Sequence, residues 1–342
     1  MSSSATRRCC QVALSTMNLT KSLEWYQHAL GFLPAGERRH REGSTFAAVA
    51  GLPEAAFDVA CVVGGQPMLQ IEMFEFARPI MRRLPAGWRR CDLGYSAIGV
   101  HCPDFDRALS RCLLPGTSPL PPSMGALGAR RACVQDPDGI LVELFEDHSL
   151  DDRASATNGL PSIVSVTVSV QDLAAAYDFW VGALGFSAVA DAVLHDPEHE
   201  ALWRLDGAAS DSMLLNAGSF VIELVEYRGS RGRRRPAGYL ISDQGLLNVA
   251  VGFDDKHEFE CSYNRAVERG FRGYTEPWTV PGVATVVYLS DAEGLTVELL
   301  HVERSAFQYM GFIANQPSFA STRTRVRSAR PRRTNTSTAG QR

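Results

Sequence analysis

Four glutamates stand alone in short apolar runs: Glu72 in Leu69-Gln70-Ile71-Glu72-Met73, Glu143 in Leu141-Val142-Glu143-Leu144, Glu223 in Val221-Ile222-Glu223-Leu224 and Glu298 in Thr296-Val297-Glu298-Leu299. Each run reads as a strand, in which alternate residues face opposite sides. A carboxylate on an otherwise core-like face is costly unless it is hydrogen-bonded, paired or bound to a metal. Such a group can hold a divalent cation, or move a proton next to a carbonyl. Polar residues recur in partner strands. Gln11 shares a face with Ala13 and Ser15, opposite Val12 and Leu14, and Asn248 shares one with Ala250 and Gly252, opposite Val249 and Val251. The small or polar face suits a cavity and the bulky face suits packing under helices.

The elements that carry these residues repeat. Ser22 to Phe32 matches Ala176 to Phe186, both helices ending in Leu-Gly-Phe, and Gln11 and Ser165 lie at the same offset of 154 residues in the preceding strands. Glycine at a helix end takes the left-handed conformation of a C-cap. Each half divides again. The strand Ser96–His101 precedes a helix over Phe105–Cys112, and the strand Leu247–Phe253 precedes a helix from about Lys256 to Arg269 with Gly270 as its stop. The turn Asp136-Pro137-Asp138-Gly139 feeds the strand of Glu143 as a type I turn. The predicted pattern is strand, helix, several strands, four times over.

The chain has 342 residues, 45% hydrophobic, the size of about two domains. There is no apolar run of roughly 18 residues and no signal-peptide core near the start, so a cytoplasmic protein without a membrane span is expected. The eight cysteines include no Cys-x-x-Cys pair and read as reduced, mostly buried thiols. The formal net charge of −4 conceals an asymmetry: eight arginines and no acid follow Glu303, leaving −12 on residues 1–303. The segment 318–342 has the composition of a disordered basic tail. It lacks the interleaved aromatics of a nucleic-acid binder, so no such partner is expected. The polar stretch 148–162 is the expected boundary between domains at 8–147 and 163–303. Arg228–Pro236 and Leu114–Ser123 read as loops.

Together the two Leu-Gly-Phe ends, the helix starts Asn18-Leu19 and Asp172-Leu173, the Asp-Pro-Asp-Gly turn and the four glutamates resemble the vicinal oxygen chelate superfamily, the glyoxalase/bleomycin-resistance/dioxygenase group. The resemblance covers about residues 8–303. It implies an α+β fold of four βαβββ modules, paired into curled sheets, with a metal held by first and last strands of paired modules. The usual ligand set is His or Gln, Glu, His, Glu. By position the first half offers Gln11, Glu72, Ala97 and Glu143, and the second Ser165, Glu223, Asn248 and Glu298. Ala97 cannot ligate, and Ser165 and Asn248 stand where His is usual. If neighbouring modules pair, the cups hold these two sets. If the first pairs with the fourth, one cup holds Gln11, Glu72, Asn248 and Glu298, and the other Ala97, Glu143, Ser165 and Glu223.

The candidate ligands are thus Gln11, Glu72, Glu143, Glu223, Asn248 and Glu298, with Glu72 and Glu298 the candidate proton carriers. An oxygen-rich set favours Mg²⁺, Mn²⁺ or Ca²⁺ over Zn²⁺, Fe²⁺ or Ni²⁺, and extradiol dioxygenase chemistry lacks its two-histidine triad. The expected function is a divalent-metal isomerase, epimerase or lyase on a small hydroxy-ketone or cyclitol-like substrate, a layout similar to cyclitol-ketone epimerases. The alternative is a metal-free cup that sequesters a small molecule. A homodimer is compatible with either. His195 and His199 flank Pro197, which argues for a loop over a ligand-bearing helix. The helix aromatics Trp25, Tyr26, Phe179 and Trp180 are expected in the core.

Overall fold

The computed structural model describes residues 8–112, 123–124, 130–147, 158–190, 192–205, 207–228, 232–291 and 293–315. The predicted loop at 114–123 lies almost wholly outside them, the tail at 318–342 wholly so, and the connection at 148–162 largely so.

Four modules follow one another. The first runs through β1 (Arg8–Ser15), α1 (Leu19–Trp25, continued by a π-helical turn Tyr26–Leu30), β2 (Leu33–Glu42), α2 (Ser44–Val49), β3 (Ala56–Val63) and β4 (Gln70–Arg78). The second holds β5 (Gly94–His101), α3 (Phe105–Cys112), β6 (Ser123–Met124), β7 (Arg130–Gln135) and β8 (Leu141–Phe145). The third holds β9 (Ser162–Val170), α4 (Leu173–Tyr177, continued by the turn Asp178–Ala183), β10 (Ser187–Val189), α5 (Pro197–Leu202), β11 (Ala209–Asn216) and β12 (Val221–Arg228). The fourth holds β13 (Gly245–Phe253), α6 (Lys256–Glu268), β14 (Arg272–Gly273), β15 (Trp278–Val280), β16 (Ala284–Ser290) and β17 (Thr296–Val302), and α7 (Phe307–Met310) follows it.

The helix limits follow from their caps. Asn18 accepts from the Lys21 amide, and Asp172 from the amides of Ala174 and Ala175. Gly31 ends the first helix at φ +91°, and Gly185 takes φ +82° after its counterpart. The amides of Phe32 and Phe186 then return to the carbonyls of Tyr26 and Trp180 at 3.1 Å in both halves. The four helix aromatics are buried as expected. In the Asp-Pro-Asp-Gly turn the Gly139 amide donates to the Asp136 carbonyl at 3.0 Å.

Of the two pairings the sequence leaves open, the structure has the first module with the fourth and the second with the third. One sheet runs β14-β16-β17-β13-β1-β4-β3-β2, with β15 beside β16, and the other β10-β11-β12-β9-β5-β8-β7-β6. Both are curled and open. The central pairs β1–β13 and β5–β9 are antiparallel. Within each module the first and last strands are parallel, as β1 with β4 or β13 with β17, which requires a crossover and is supplied by the intervening helix and strands. Each sheet therefore draws on both sides of the 148–162 connection. Val12 and Leu14 of one sheet and Ile98, Val166 and Val168 of the other join the helix aromatics in one continuous buried cluster.

A second repeat holds the halves together. Arg82-Arg83-Leu84-Pro85-Ala86-Gly87 follows β4, and Arg233-Arg234-Arg235-Pro236-Ala237-Gly238 follows β12, at an offset of 151. Arg82 Nε donates to Asp243 Oδ2 at 2.9 Å, and Arg233 Nε to Asp92 Oδ2 at 3.0 Å. The Gln244 amide meets the Arg82 carbonyl at 3.0 Å, and the Leu93 amide the Arg233 carbonyl at 2.9 Å. The expected Arg228–Pro236 loop is thus, over its described residues, one arm of a reciprocal clasp.

Candidate functional site

Strand register gathers four of the six candidate ligands. Ala13 pairs with both Glu72 and Asn248, and Ala250 pairs with both Gln11 and Glu298. With side-chain parity conserved across paired strands, Gln11, Glu72, Asn248 and Glu298 share the concave face of the first sheet. All four are buried. The cavity above them has a volume of about 470 Å³, with Phe57, Phe74, Trp278 and Tyr288 on its walls and Arg39 and Arg41 at its rim.

Arg39 and Arg41 stay at the rim, and among the described residues neither glutamate of this first cup makes a salt bridge. The Gln11 amide nitrogen donates to Glu72 Oε2. Burial pushes the Glu72 carboxyl up to about 7, against the opposing pull of Arg39 and Gln11. Burial, reinforced by the charge of Glu72, raises Glu298 well above the usual range, against a hydrogen bond from Tyr288, its cross-strand neighbour. Asn248 Oδ1 and Glu298 Oε2 are buried without a hydrogen-bond partner. Two unsatisfied acceptors beside two carboxyls disfavoured as anions are what a divalent cation would relieve, so the donor set fits a hard ion held by Gln11, Glu72, Asn248 and Glu298. Two of those donors are amides. Among the described residues no group of three or more His, Cys, Asp or Glu side chains is arranged as a metal site.

The second sheet gathers the other two candidates and does the opposite with them. Glu223 lies opposite Thr167, and Glu143 opposite Gly99, on the concave face. His195 fills the space between them, Nε2 2.6 Å from Glu143 Oε2 and Nδ1 2.8 Å from Glu223 Oε1. Arg90, fully buried, places Nη2 2.5 Å from Glu223 Oε2 and Nη1 2.6 Å from Glu200 Oε1. Arg131 Nη1 lies 3.5 Å from Glu143 Oε1. Three cationic side chains thus face three carboxylates. Burial would raise Glu223, but His195 and Arg90 override it and draw the carboxyl down to about 2. Glu143 is likewise held below the carboxylate range, burial being outweighed by His195, Arg131 and Arg90. Burial and Arg90 oppose the charged form of His195, and the two glutamates overcome them to raise its pKa. Glu143 and Glu223 therefore meet side-chain cations of the chain itself, and Ala97 and Ser165 add no charge.

Sequence reasoning missed the residues that fill this cup. Pro197 does not abolish a helix: it is the first residue of α5, where its missing amide costs nothing, with Asp196 as the cap. His195 lies just outside that helix, and Glu200 within it. Arg90 had a legible signal in the clasp repeat, whose offset of 151 sets it against Ile241. In the first cup that position is apolar and belongs with the wall that includes Phe57 and Phe74.

Comparison with known proteins agrees with this architecture. The chain matches the Glyoxalase/Bleomycin resistance protein/Dioxygenase superfamily over residues 10–144 and 162–299, and it belongs to that family. No curated protein sequence matches it. Among solved structures it is similar to glyoxalase I from Zea mays, at 17% identity and a TM-score of 0.59, covering 88% of this chain and 94% of that one. It is also similar to a putative dioxygenase from Bacillus subtilis, at 11% identity and a TM-score of 0.56, covering 87% and 86%. At such identities the likeness concerns the fold. Among the described residues no helix is long and apolar enough to cross a membrane.

Proposed function

We propose that the first cup is the working site, and that it catalyses proton transfer at a carbon next to a carbonyl of a small, oxygen-rich substrate, as an isomerase, epimerase or lyase. The observation that carries this is the pair Glu72 and Glu298, buried in one open cavity, both raised in pKa and with Glu298 Oε2 unpartnered. A proton carrier works best when its pKa lies near the operating pH; Glu72 stands at about 7 before any cation binds, and a cation on the carboxylate would draw it down. A divalent cation bound by Gln11, Glu72, Asn248 and Glu298 supplies Lewis-acid polarisation of a carbonyl. The aromatic walls exclude water and position the carbon skeleton, while Tyr288 orients Glu298. A hydroxy-ketone or cyclitol-type ketone has the oxygen pattern such a cup would take.

One observation favours a second reading. Gln11 donates to Glu72 and so satisfies one carboxyl without any cation. A cup working in this way would bind a small molecule and release it unchanged. Deuterium exchange separates the two. Dihydroxyacetone or a cyclitol ketone is incubated in D₂O with the protein and Mn²⁺ or Mg²⁺, and the α-proton signal is followed by NMR. Loss of the signal with wild type and Glu143→Gln, but not with Glu72→Gln, supports the enzyme. Saturable binding of these ketones without exchange supports sequestration and sinks the catalytic reading.

A further inference from the structure

We propose a second ligand site in this chain, outside both cups, that binds a small anion through Arg235. A cavity of about 270 Å³ lies where the second arm of the clasp crosses the ends of β5 and β9 and the turn between β16 and β17. It opens separately from the first cup's cavity, and the two meet only through the apolar packing of Leu240, Ile241 and Leu247 behind the cup wall. The two clasp arms repeat residue by residue, and Arg235 stands at the position of Leu84. An apolar residue suffices there in the first arm. The second arm carries a guanidinium, which stays charged under all ordinary conditions.

That charge is poorly met. Arg235 Nη2 donates to the Leu246 carbonyl at 2.8 Å, and the guanidinium lies 5.1 Å from the centre of the Tyr239 ring. Its Nε is buried and has no partner. Burial lowers its pKa against the opposing pull of Tyr239, Tyr95 and Asp243, and Asp243, the carboxylate among them, is already engaged by Arg82 through 2.6 and 2.9 Å contacts. Two acids, Asp291 and Glu293, also line the cavity, and each bonds to backbone amides rather than to Arg235. Asp291 Oδ1 accepts from the amides of Glu293 and Leu295 at 2.9 and 2.8 Å, and Glu293 Oε2 accepts from the Gln171 amide at 3.2 Å. Arg234, on the same wall, donates to the Gln171 side chain. Contrast Arg90 and Arg131 of the second cup and Arg82 and Arg233 of the clasp, each of which reaches a carboxylate. An unneutralised arginine beside a cavity is a charge cost that an anionic oxygen would remove, and a guanidinium presents carboxylate or phosphate with a planar, two-point fork. Tyr239, Pro236 and Leu240 give the rest of the ligand an apolar surface. The class is a small carboxylate or phosphate anion.

The test is calorimetric titration of the full chain with benzoate and, separately, with inorganic phosphate, at constant ionic strength set by chloride. Saturable binding of one or both is expected, and the stronger of the two identifies the source as organic acid or phosphate. Arg235→Leu, which restores the residue of the first arm, is expected to weaken it by at least about tenfold. The double variant Arg39→Ala/Arg41→Ala, at the rim of the first cup, leaves it unchanged. Without any anion, Arg235→Leu should melt no lower than wild type, because it removes an uncompensated charge. Absence of saturable binding by either anion overturns the proposal, as does binding that survives Arg235→Leu. A lower melting temperature for that variant would show the arginine to be a structural element in its own right and would overturn it as well.

Discussion

His195 Nε2 lies 2.6 Å from Glu143 Oε2, and the ring spans the second cup so that its other nitrogen reaches Glu223. In the first cup Glu72 and Glu298 occupy the matching strand positions with no imidazole between them. One protein thus contains the same pair of carboxylates twice, once met by the chain's own cations and once raised in pKa by burial.

Metal binding should follow that division. Protein purified without chelator and loaded with Mn²⁺ is expected to hold one ion per chain by elemental analysis. Glu298→Ala and Glu72→Ala should lose it, and Glu143→Gln should keep it. Two ions per chain, or loss in Glu143→Gln alone, would place the metal in the wrong cup.

Breaking the internal neutralisation should be costly. Arg90→Met strands Glu200 and Glu223 in the interior, and loss of one partner of a buried ion pair costs about 3–5 kcal/mol. Urea denaturation should show this as a lower midpoint at unchanged slope. Ile241→Met, at the repeat-equivalent position, should cost less than about 1.5 kcal/mol because it exchanges one apolar side chain for another.

Acid should reveal the same network. Glu223 is ionised down to about pH 2 in the folded chain, against a reference value of 4.5. Its folded pKa is depressed, so its contribution is full above about pH 4.5 and is lost as pH falls through that value towards 2. Melting temperature should therefore drop across this window. In His195→Leu, which removes one of the cations holding Glu223 down, the folded pKa moves back toward 4.5, so the drop should be smaller and end at higher pH. An unchanged profile in that variant would refute the role given to His195.

The clasp offers an asymmetric prediction. Asp92 is fully buried and accepts from Arg89, Arg233 and their amides, whereas the Arg233 side chain is 43% exposed. Asp92→Ala leaves buried donors unsatisfied and should cost about 1–3 kcal/mol or more. Arg233→Ala retains solvent access and should cost less. Thermal melts of the two variants decide the order.

How much of this was legible beforehand differs from residue to residue. The alternation around Glu72, Glu143, Glu223 and Glu298, the Leu-Gly-Phe helix ends and the Asp-Pro-Asp-Gly turn are local patterns, set by backbone period, caps and turn geometry, and they sufficed for the four modules, while the α+β class followed from the family those patterns resemble. Parity also put Gln11 and Asn248 on cavity faces. Which modules share a sheet was not local. β1 meets β13 at least 230 residues away, and each module has a first strand equally able to pair with several others. Only the packing of the whole chain, with its reciprocal arginine clasp, selects among them. The same holds for the cups. Arg90 departs from its repeat partner Ile241 and His195 comes from a loop without periodic signature, and their charges acquire meaning only where the folded chain sets them against Glu143 and Glu223.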